Sequence, residues 1–254
     1  MTGESEHVGL SDVSLLIPTS ADEAVAAFGD GSGVTVIAGG TIVMPEVTAS
    51  RLRPAKAILL GKAGLSGVTR AGGTVTIGAA TPVSELERGD EPLAEAARHV
   101  GDIEVRAQAT VGGNICSAAS SDAPRGDLQA PLLVLGATAR SAGAGGERTE
   151  PLEDFLADGA GRLLLDVSYD EAERQTGYAA VWRPHAHHYT ILAVAAARRD
   201  GELRVAATGA GIRGVLLDPD DPLAGLELRD DALASAWYRE KLIPRLVERA
   251  LANL

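Results

Sequence analysis

Two glycine-rich segments are the features that most restrict how this chain can fold. They are VIAGGTIV at Val36–Val43 and ATVGGNI at Ala109–Ile115, and each carries a Gly-Gly pair beside an apolar, β-prone run. Consecutive glycines let the backbone adopt positive φ angles and come close to a ligand. Successive N–H groups in such a turn form a concave site for an anion. The two pairs therefore predict loops that close on one long anionic cofactor, with both loops donating main-chain N–H groups.

Composition excludes several classes of function. The 254 residues carry a formal net charge of −12, which argues against binding to nucleic acid or to an anionic membrane. No apolar run approaches the ~20 residues that span a bilayer, and the N-terminus lacks the basic start and apolar stretch of a signal peptide. We therefore expect a cytoplasmic protein with no membrane span and no nucleic-acid partner.

The chain has one cysteine, Cys116. A single thiol cannot form an internal disulfide, and it cannot by itself hold an iron–sulfur cluster. The simplest expectation is that Cys116 is a small buried side chain.

Three histidines, His185, His187 and His188, raise the question of a metal site because imidazole binds zinc. No Cys, Asp or Glu lies between Val181 and Ala197 to complete a ligand set. We therefore predict no metal ligands and interpret the histidines as part of a polar loop near a cofactor or a partner.

Hydrophobic periodicity predicts a series of short helices and strands. The predicted strands are Val34–Ala38, Ala57–Leu60, a segment from Thr74, Leu163–Ser168, Tyr178–Trp182, Tyr189–Arg198 and Leu203–Gly209. The predicted helices are Ala21–Phe28, Pro82–Glu87, Pro92–Val100, Leu152–Leu156 and Ala232–Asn253, the last with a kink or restart near Pro244. Ser20 and Glu23 form a capping-box pattern before the first helix. Pro131–Arg140 and Glu147–Pro151 flank Ala142–Gly146, a glycine-rich turn that predicts a hairpin.

Several motifs follow one another in a fixed order along the chain. They are AGGT, TIGAATPVSEL, VRAQATVGGNI, PLLVLGATA and GERTEPLEDFL, followed by WYREKLIPRLVERAL at Trp237–Leu251. This ordered series resembles the FAD-binding subunit of molybdenum hydroxylases, a family that includes the medium subunit of carbon monoxide dehydrogenase and the flavin portion of xanthine dehydrogenase. The similarity runs from about Leu16 to Leu251, which is nearly the whole chain.

The resemblance implies an α+β fold. Its parts would be a two-part FAD-binding domain of the PCMH type and a small sheet-plus-helix C-terminal domain. We expect the first FAD-binding subdomain in residues 1–60, the second in residues 61–172 and the C-terminal domain in residues 173–254. The FAD would lie between the first two units, since cofactor sites often lie where domains meet.

The resemblance also implies which residues hold a non-covalently bound FAD. The first glycine segment would wrap the pyrophosphate, with Gly39, Gly40 and Thr41 nearest to it. The full set of expected cofactor contacts is Val36, Ile37, Ala38, Gly39, Gly40, Thr41, Ile42, Val43, Val100, Thr110, Gly113, Asn114, Asp122, Asp127, Leu164, Leu165 and Trp182. No residue is expected to act as a nucleophile or a general base, because the flavin carries the redox chemistry.

The acidic residue that the family places after the second glycine segment has two candidates. Asp122 fits when positions are counted forward from Asn114, and Asp127 fits when they are counted back from Pro131. We prefer Asp127, because DLQAPLL keeps the family's interval from aspartate to proline and leaves SSDAPRG as an insertion.

Two further positions bear on the flavin. Leu164 or Leu165 falls where an apolar side chain of the family lies against the flavin. Trp182 stands where some relatives have a lysine, and this departure changes the expected charge near the flavin.

The function that the resemblance implies is electron transfer. Electrons would arrive from a [2Fe–2S] small subunit, in a complex with a large subunit that holds the molybdenum cofactor, and would leave to NAD, a quinone or oxygen. One alternative is a self-contained FAD-dependent oxidase, although Thr41 stands where many such oxidases carry the histidine that tethers flavin covalently. Another is a scaffold subunit that has lost FAD.

Overall fold

The structure, a computed structural model, describes residues 13–117, 126–183 and 190–254. Its strands are β1 (Ser14–Leu16), β2 (Val34–Ile37), β3 (Lys56–Leu59), β4 (Val68–Ala71), β5 (Thr74–Gly78), β6 (Thr138–Gly143), β7 (Gly146–Pro151), β8 (Leu163–Asp170), β9 (Gln175–Trp182), β10 (Thr190–Arg199), β11 (Glu202–Thr208) and β12 (Val215–Leu217). Its helices are α1 (Ala21–Phe28), α2 (Val43–Thr48), α3 (Leu93–Arg98), α4 (Ile103–Gln108), α5 (Val111–Cys116), α6 (Gln129–Val134), α7 (Leu152–Asp158) and α8 (Ala236–Ala252). Short 3₁₀ turns lie at Leu60–Lys62 and Val83–Leu86.

The first strands form a small parallel sheet in the order β1-β3-β2. Leu16, Ile58 and Val36 lie side by side across this sheet and share one face. Helix α1 covers that face through Ala24 and Phe28. Because the strands are parallel, β2 and β3 end at the same edge of the sheet, and the first glycine segment follows β2 at that edge.

Helix α1 begins where the capping pattern predicts. The Ser20 hydroxyl accepts a hydrogen bond from the Glu23 N–H at 3.1 Å, so one of the orphan donors of the first turn is satisfied. The Glu23 carboxylate reaches one residue further back than a capping box requires and accepts from the Thr19 N–H at 2.7 Å.

A five-stranded antiparallel sheet follows, in the order β4-β5-β8-β6-β7. In its centre Val167 of β8 pairs with Ile77 of β5 and Ala139 of β6. These side chains are buried and form one core with residues of α3, α5, α6 and α7. This unit therefore has its own hydrophobic core, with helices packed on the sheet.

The C-terminal strands form an antiparallel sheet in the order β12-β11-β10-β9. Strand β10 is buried on both faces: Val194 and Ala196 pack with Ile243 of α8, whereas Ala195 and Ala197 belong to the core of the five-stranded unit. A strand covered on both faces reads as a continuous apolar run, which explains the sequence ILAVAAA.

The expected α+β fold is confirmed, and the structure corrects several of the predicted elements. Residues 111–116, expected as a loop, are helix α5, and the first part of Pro131–Arg140 is helix α6, which precedes the predicted hairpin. The C-terminal helix starts at Ala236 because Ser235 caps it, and it runs through Pro244 without a restart. Segment Pro82–Glu87 is only a 3₁₀ turn. The sequence analysis missed β1, β4, β12, α2 and α4, which are all short.

The predicted domain boundaries after residues 60 and 172 stay predictions. The three sheets occupy residues 14–59, 68–170 and 175–217.

Arg239, near the start of α8, is fully buried and joins this helix to the C-terminal sheet. Its guanidinium donates to the carbonyl oxygens of Ile191, at 2.7 Å, and of Gly209, which follows β11. It also forms a 2.6 Å salt bridge with the buried Asp231. Burial lowers the pKa of Arg239, and Asp231 opposes that shift. The pair therefore fixes the end of the sheet at which β10 begins.

Replacing Arg239 should destabilise the fold strongly. We expect Arg239→Met to lower the free energy of unfolding by about 3–5 kcal/mol, because Asp231 then keeps a buried carboxylate without its closest partner. The control is Arg245→Met on the same helix, whose side chain is 78% exposed and whose loss should change stability by less than about 0.5 kcal/mol. Urea denaturation measures both, and equal losses in the two variants would contradict this account.

Candidate functional site

A cavity of about 540 Å³ lies between the parallel sheet, the five-stranded sheet and the start of β10. This volume is in the range of roughly 300–1,000 Å³ that is typical of ligand sites. The predicted site residues that line it are Val36, Ala38, Gly39, Gly40, Thr41, Ile42, Val43, Val100, Thr110, Gly113, Asn114, Asp127 and Leu164. The tertiary structure therefore brings both glycine segments and the acidic segment to one cavity.

Three predicted positions do not line this cavity, and one lies outside the described residues. Ile37 points to the opposite face of β2 from Val36, because side chains alternate along a strand. Leu165 is buried in the core between the parallel sheet and β8. Trp182 lies on β9 and is not part of the cavity wall, and Asp122 falls in the part of the chain that the structure does not describe.

The first glycine of each pair is required by packing within the protein. A Cβ at Gly39 would lie 1.9 Å from the carbonyl oxygen of Gln108, and a Cβ at Gly112 would lie 2.8 Å from the Cβ of Ala79. Neither separation is sterically possible, so these glycines allow two backbone segments to touch. Tight packing, rather than a ligand, explains this half of each Gly-Gly pair.

The second glycine of the first pair has a different role. Gly40 has a φ of +72°, which glycine adopts at little cost. An added Cβ there would meet no backbone, and its nearest neighbour would be Met44 Cγ at 3.1 Å. Gly40 therefore turns the chain beside the cavity rather than packing against a second segment.

This turn leaves a run of free main-chain donors at the cavity. Within the described residues the N–H groups of Gly39 through Val43 donate no hydrogen bond, and the next N–H, of Met44, donates to the Gly40 carbonyl at 2.9 Å. All of Gly39 through Val43 line the cavity. Since buried or half-buried N–H groups normally have partners, such a run is a ready site for an anion. We call it the amide turn.

The N–H groups around the second glycine pair already have acceptors within the protein. This corrects the expectation that both glycine segments would donate main-chain N–H groups to a cofactor. The Val111 N–H donates to the Thr81 carbonyl at 2.9 Å, and the Gly112 N–H donates to the Ala79 carbonyl at 2.8 Å. The Gly113 N–H donates to the hydroxyl of Thr110 at 3.2 Å, and Thr110 is the N-cap of α5. These groups are used within the protein because residues 111–116 form a helix.

Asn114 and Asp127 form a hydrogen-bonded pair at the cavity wall. Asn114 Nδ2 donates to Asp127 Oδ2 at 2.9 Å, and Asn114 Oδ1 accepts from the Leu128 N–H at 3.0 Å. Asn114 is buried, so it holds the acidic segment against α5. One carboxylate oxygen of Asp127 is thus committed to Asn114, and the side chain presents its charge to the cavity.

Other lining residues were not assigned to the site by the sequence analysis. They include Arg162 and Leu163, directly before the predicted Leu164, and Thr190 at the start of β10. Proximity to Leu164 is the only sequence signal that pointed to Arg162. Thr190 is 7% exposed, and its hydroxyl oxygen is buried without a hydrogen-bond partner among the described residues.

Cys116 is not the buried side chain that was expected. It is exposed and lines the cavity, because it lies at the end of α5 on the side of the cavity.

Trp182 stacks on His99, with 4.3 Å between ring centroids and 21° between ring planes. His99 immediately precedes Val100, which lines the cavity. The indole Nε1 of Trp182 is buried and has no partner in the described part of the chain. The stack therefore joins β9 to the C-terminal end of α3, next to the lining residue Val100.

The histidines His185, His187 and His188 lie outside the described residues. In the part of the chain that is described, no three His, Cys, Asp or Glu side chains lie close enough together to bind a metal ion. Each helix in the same residues is too short or too polar to cross a lipid bilayer.

The chain is similar to known proteins over most of its length. It is 27% identical to the carbon monoxide dehydrogenase medium chain of Hydrogenophaga pseudoflava, over 92% of this chain and 94% of that one. Its fold matches the structure of carbon monoxide dehydrogenase from the same organism with a TM-score of 0.82 at 24% identity, covering 95% of this chain and 96% of the other. It also matches quinoline 2-oxidoreductase from Pseudomonas putida 86 with a TM-score of 0.76 at 21% identity, covering 94% and 95%.

The sequence pattern of one family matches residues 11–167, which is more than half of the chain and includes both glycine segments and Asp127. That family is described as the FAD binding domain in molybdopterin dehydrogenase. The ordered motifs, the fold and this match agree, and the protein therefore belongs to the family of FAD-binding domains of molybdopterin dehydrogenases.

Proposed function

We propose that the chain is the electron-transferring flavoprotein subunit of a molybdenum hydroxylase, and that it holds FAD non-covalently in the cavity. The observation that carries this proposal is the amide turn, whose N–H groups from Gly39 through Val43 have no acceptor in the described residues. A dinucleotide diphosphate supplies the oxygen acceptors that these donors lack. Hydrogen bonds from N–H groups to a charged acceptor are each worth about 1.5–3 kcal/mol.

The rest of the wall suits the other parts of the cofactor. Val36, Val100 and Leu164 give apolar surface for the rings, and the Asp127 carboxylate accepts hydrogen bonds from hydroxyl or amino groups. Thr110 and Asn114 are used within the protein, so their contribution is to hold the wall in place. The combination of apolar walls and a few fixed polar groups is typical of cofactor sites.

The binding is non-covalent in this proposal. Thr41 occupies the place in the amide turn at which a tethering histidine stands in many flavin oxidases, and a threonine hydroxyl does not attach to the flavin ring. Cys116 also lines the cavity as a free thiol, and in this proposal it forms no bond to the flavin.

The role of the chain is to bind and orient the flavin, which when bound supplies the electron-transfer chemistry. The electrons would come from a [2Fe–2S] small subunit and, before it, from a large subunit that holds the molybdenum cofactor. Similarity to the medium chain of carbon monoxide dehydrogenase over 92% of this chain supports this arrangement. The terminal acceptor would be NAD, a quinone or oxygen.

The isolated chain should bind FAD and should not act as an oxidase. We expect the purified protein to carry or take up one FAD, to release it on denaturation, and to turn over no organic substrate without partner subunits. Absorbance of the supernatant after heat precipitation measures the release, and oxygen consumption measures turnover. Turnover by the chain alone would support a self-contained oxidase, and failure to bind FAD would support a flavin-free scaffold.

Gly40→Ala tests the amide turn. We expect the Kd for FAD to rise about tenfold or more, because a methyl group at Gly40 strains the turn and shields its N–H groups from phosphate oxygens. Fluorescence titration of the apoprotein with FAD measures the Kd.

The control is Gly33→Ala, because Gly33 has a similar φ of +67° and an added Cβ there would meet no atom within 4 Å. Both variants carry left-handed strain of about 1–2 kcal/mol, but only Gly40 lines the cavity. If the two variants bind FAD equally well, the amide turn is not the cofactor site.

The single thiol reports directly on occupancy of the cavity. We expect saturating FAD to slow alkylation of Cys116 at mildly alkaline pH, because the cofactor would cover this exposed side chain. Intact-mass spectrometry counts the labels over time. A control thiol away from the cavity, in Cys116→Ala/Glu153→Cys, should react at the same rate with and without FAD. Unchanged labelling of Cys116 would mean that FAD binds elsewhere.

A further inference from the structure

The charge of the cavity wall is unusual for this chain. The sequence has 35 acidic and 23 basic side chains, yet the described wall carries only Asp127 and Arg162 as charged residues. An anionic dinucleotide entering the cavity therefore meets one acidic and one basic residue. The partners of the Arg162 guanidinium decide how much attraction it can offer.

Among the described residues, the groups that hold Arg162 are all neutral. Its Nε donates to the Ser141 hydroxyl at 2.9 Å, and its Nη2 donates to the carbonyl oxygens of Ser141 at 3.0 Å and Gly146 at 2.7 Å. Its Nη1 donates to the Ala144 carbonyl at 3.1 Å. These acceptors belong to the β6–β7 hairpin, which orients the side chain without neutralising its charge.

Other arginines of the five-stranded unit differ in this respect. Arg140 pairs with Asp166 at 2.6 Å, Arg148 pairs with Glu150 at 2.8 Å, and Arg106 pairs with Glu87 at 2.6 Å. Arg162 forms no salt bridge within the described residues. A partly buried guanidinium that lacks a carboxylate partner keeps its net positive charge, and the attraction of this charge for an anion is stronger in a cavity than in water.

We propose that Arg162 supplies the positive charge that the cavity presents to the phosphate groups of the bound dinucleotide. This inference rests on the proposed function, and it adds a residue that acts together with the amide turn. The amide turn offers N–H dipoles from one side of the cavity, and the guanidinium offers a full charge from the β6–β7 side. A guanidinium fixed by four hydrogen bonds is also preorganised, so little side-chain entropy is lost on binding.

Separate halves of FAD test this role. We expect Arg162→Gln to raise the Kd for FAD and for ADP by about tenfold or more, the range for losing one charge-assisted contact, and to leave the Kd for riboflavin unchanged. Arg162→Lys keeps the positive charge but lacks the planar guanidinium with its several N–H donors. Its affinity for ADP should lie between those of the wild-type protein and Arg162→Gln. Isothermal titration of the apoproteins measures all three ligands.

The matched control is Arg148→Gln. It removes one positive charge from the hairpin that Arg162 contacts, but Arg148 does not line the cavity, so all three affinities should stay at wild-type values. Thermal unfolding of each apoprotein reports any loosening of the hairpin, which by itself would weaken ADP and riboflavin alike. If Arg162→Gln does not fold, the ADP affinity of Arg162→Lys relative to riboflavin decides the question.

The outcomes separate this inference from the proposed function. Wild-type protein that binds no FAD overturns both. Wild-type protein that binds FAD, with unchanged ADP affinity in the folded Arg162 variants, overturns only the role of Arg162. An equal loss for ADP and riboflavin overturns the phosphate contact, because it points to the rings or to the hairpin.

Discussion

The backbone of Gly39 touches the backbone of residues 108 and 109, and this contact sets the geometry of the cavity. No Cβ fits there, because it would lie 1.9 Å from the Gln108 carbonyl oxygen. The contact brings the edge of the parallel sheet against the segment that leads into α5. The amide turn, which begins at Gly39, thereby lines the same cavity as Asn114 and Asp127. Any larger residue at position 39 would push the two units apart and open the site.

The two Gly-Gly pairs are alike in sequence but have different structural roles. Gly39 and Gly112 allow backbone segments to pack, whereas Gly40 turns the chain at a positive φ. The first pair alone leaves N–H groups without an acceptor in the described part of the chain, since those around Gly112 bond to carbonyls of Thr81 and Ala79. The cofactor site is therefore asymmetric. One segment offers main-chain donors, and the other builds a rigid wall.

The charged side chains at the cavity differ in their partners from those on the rest of the chain. The chain is acidic overall, with a net charge of −12, and most of its arginines in the five-stranded unit are neutralised by nearby carboxylates. At the cavity the Asp127 carboxylate is tied to Asn114, and Arg162 is bound by neutral oxygens. An acidic surface thus coexists with a wall that can receive an anionic ligand. The positions of both charged groups depend on long-range contacts.

The sequence by itself determined the elements whose signals are local. Helix α1 follows from its cap at Ser20, and the β10–β11 hairpin follows from apolar strands joined by Asp200 and Gly201, which both have positive φ. The ordered motifs were enough to predict the family and most of the residues that line the cavity. Only the tertiary structure decided that α5 is a helix whose N–H groups are already used, and that Arg162 reaches the cavity wall. The physical reason is that the hydrogen-bond partners are distant in sequence. The start of α5 bonds to Thr81, and Arg162 bonds to the β6–β7 hairpin.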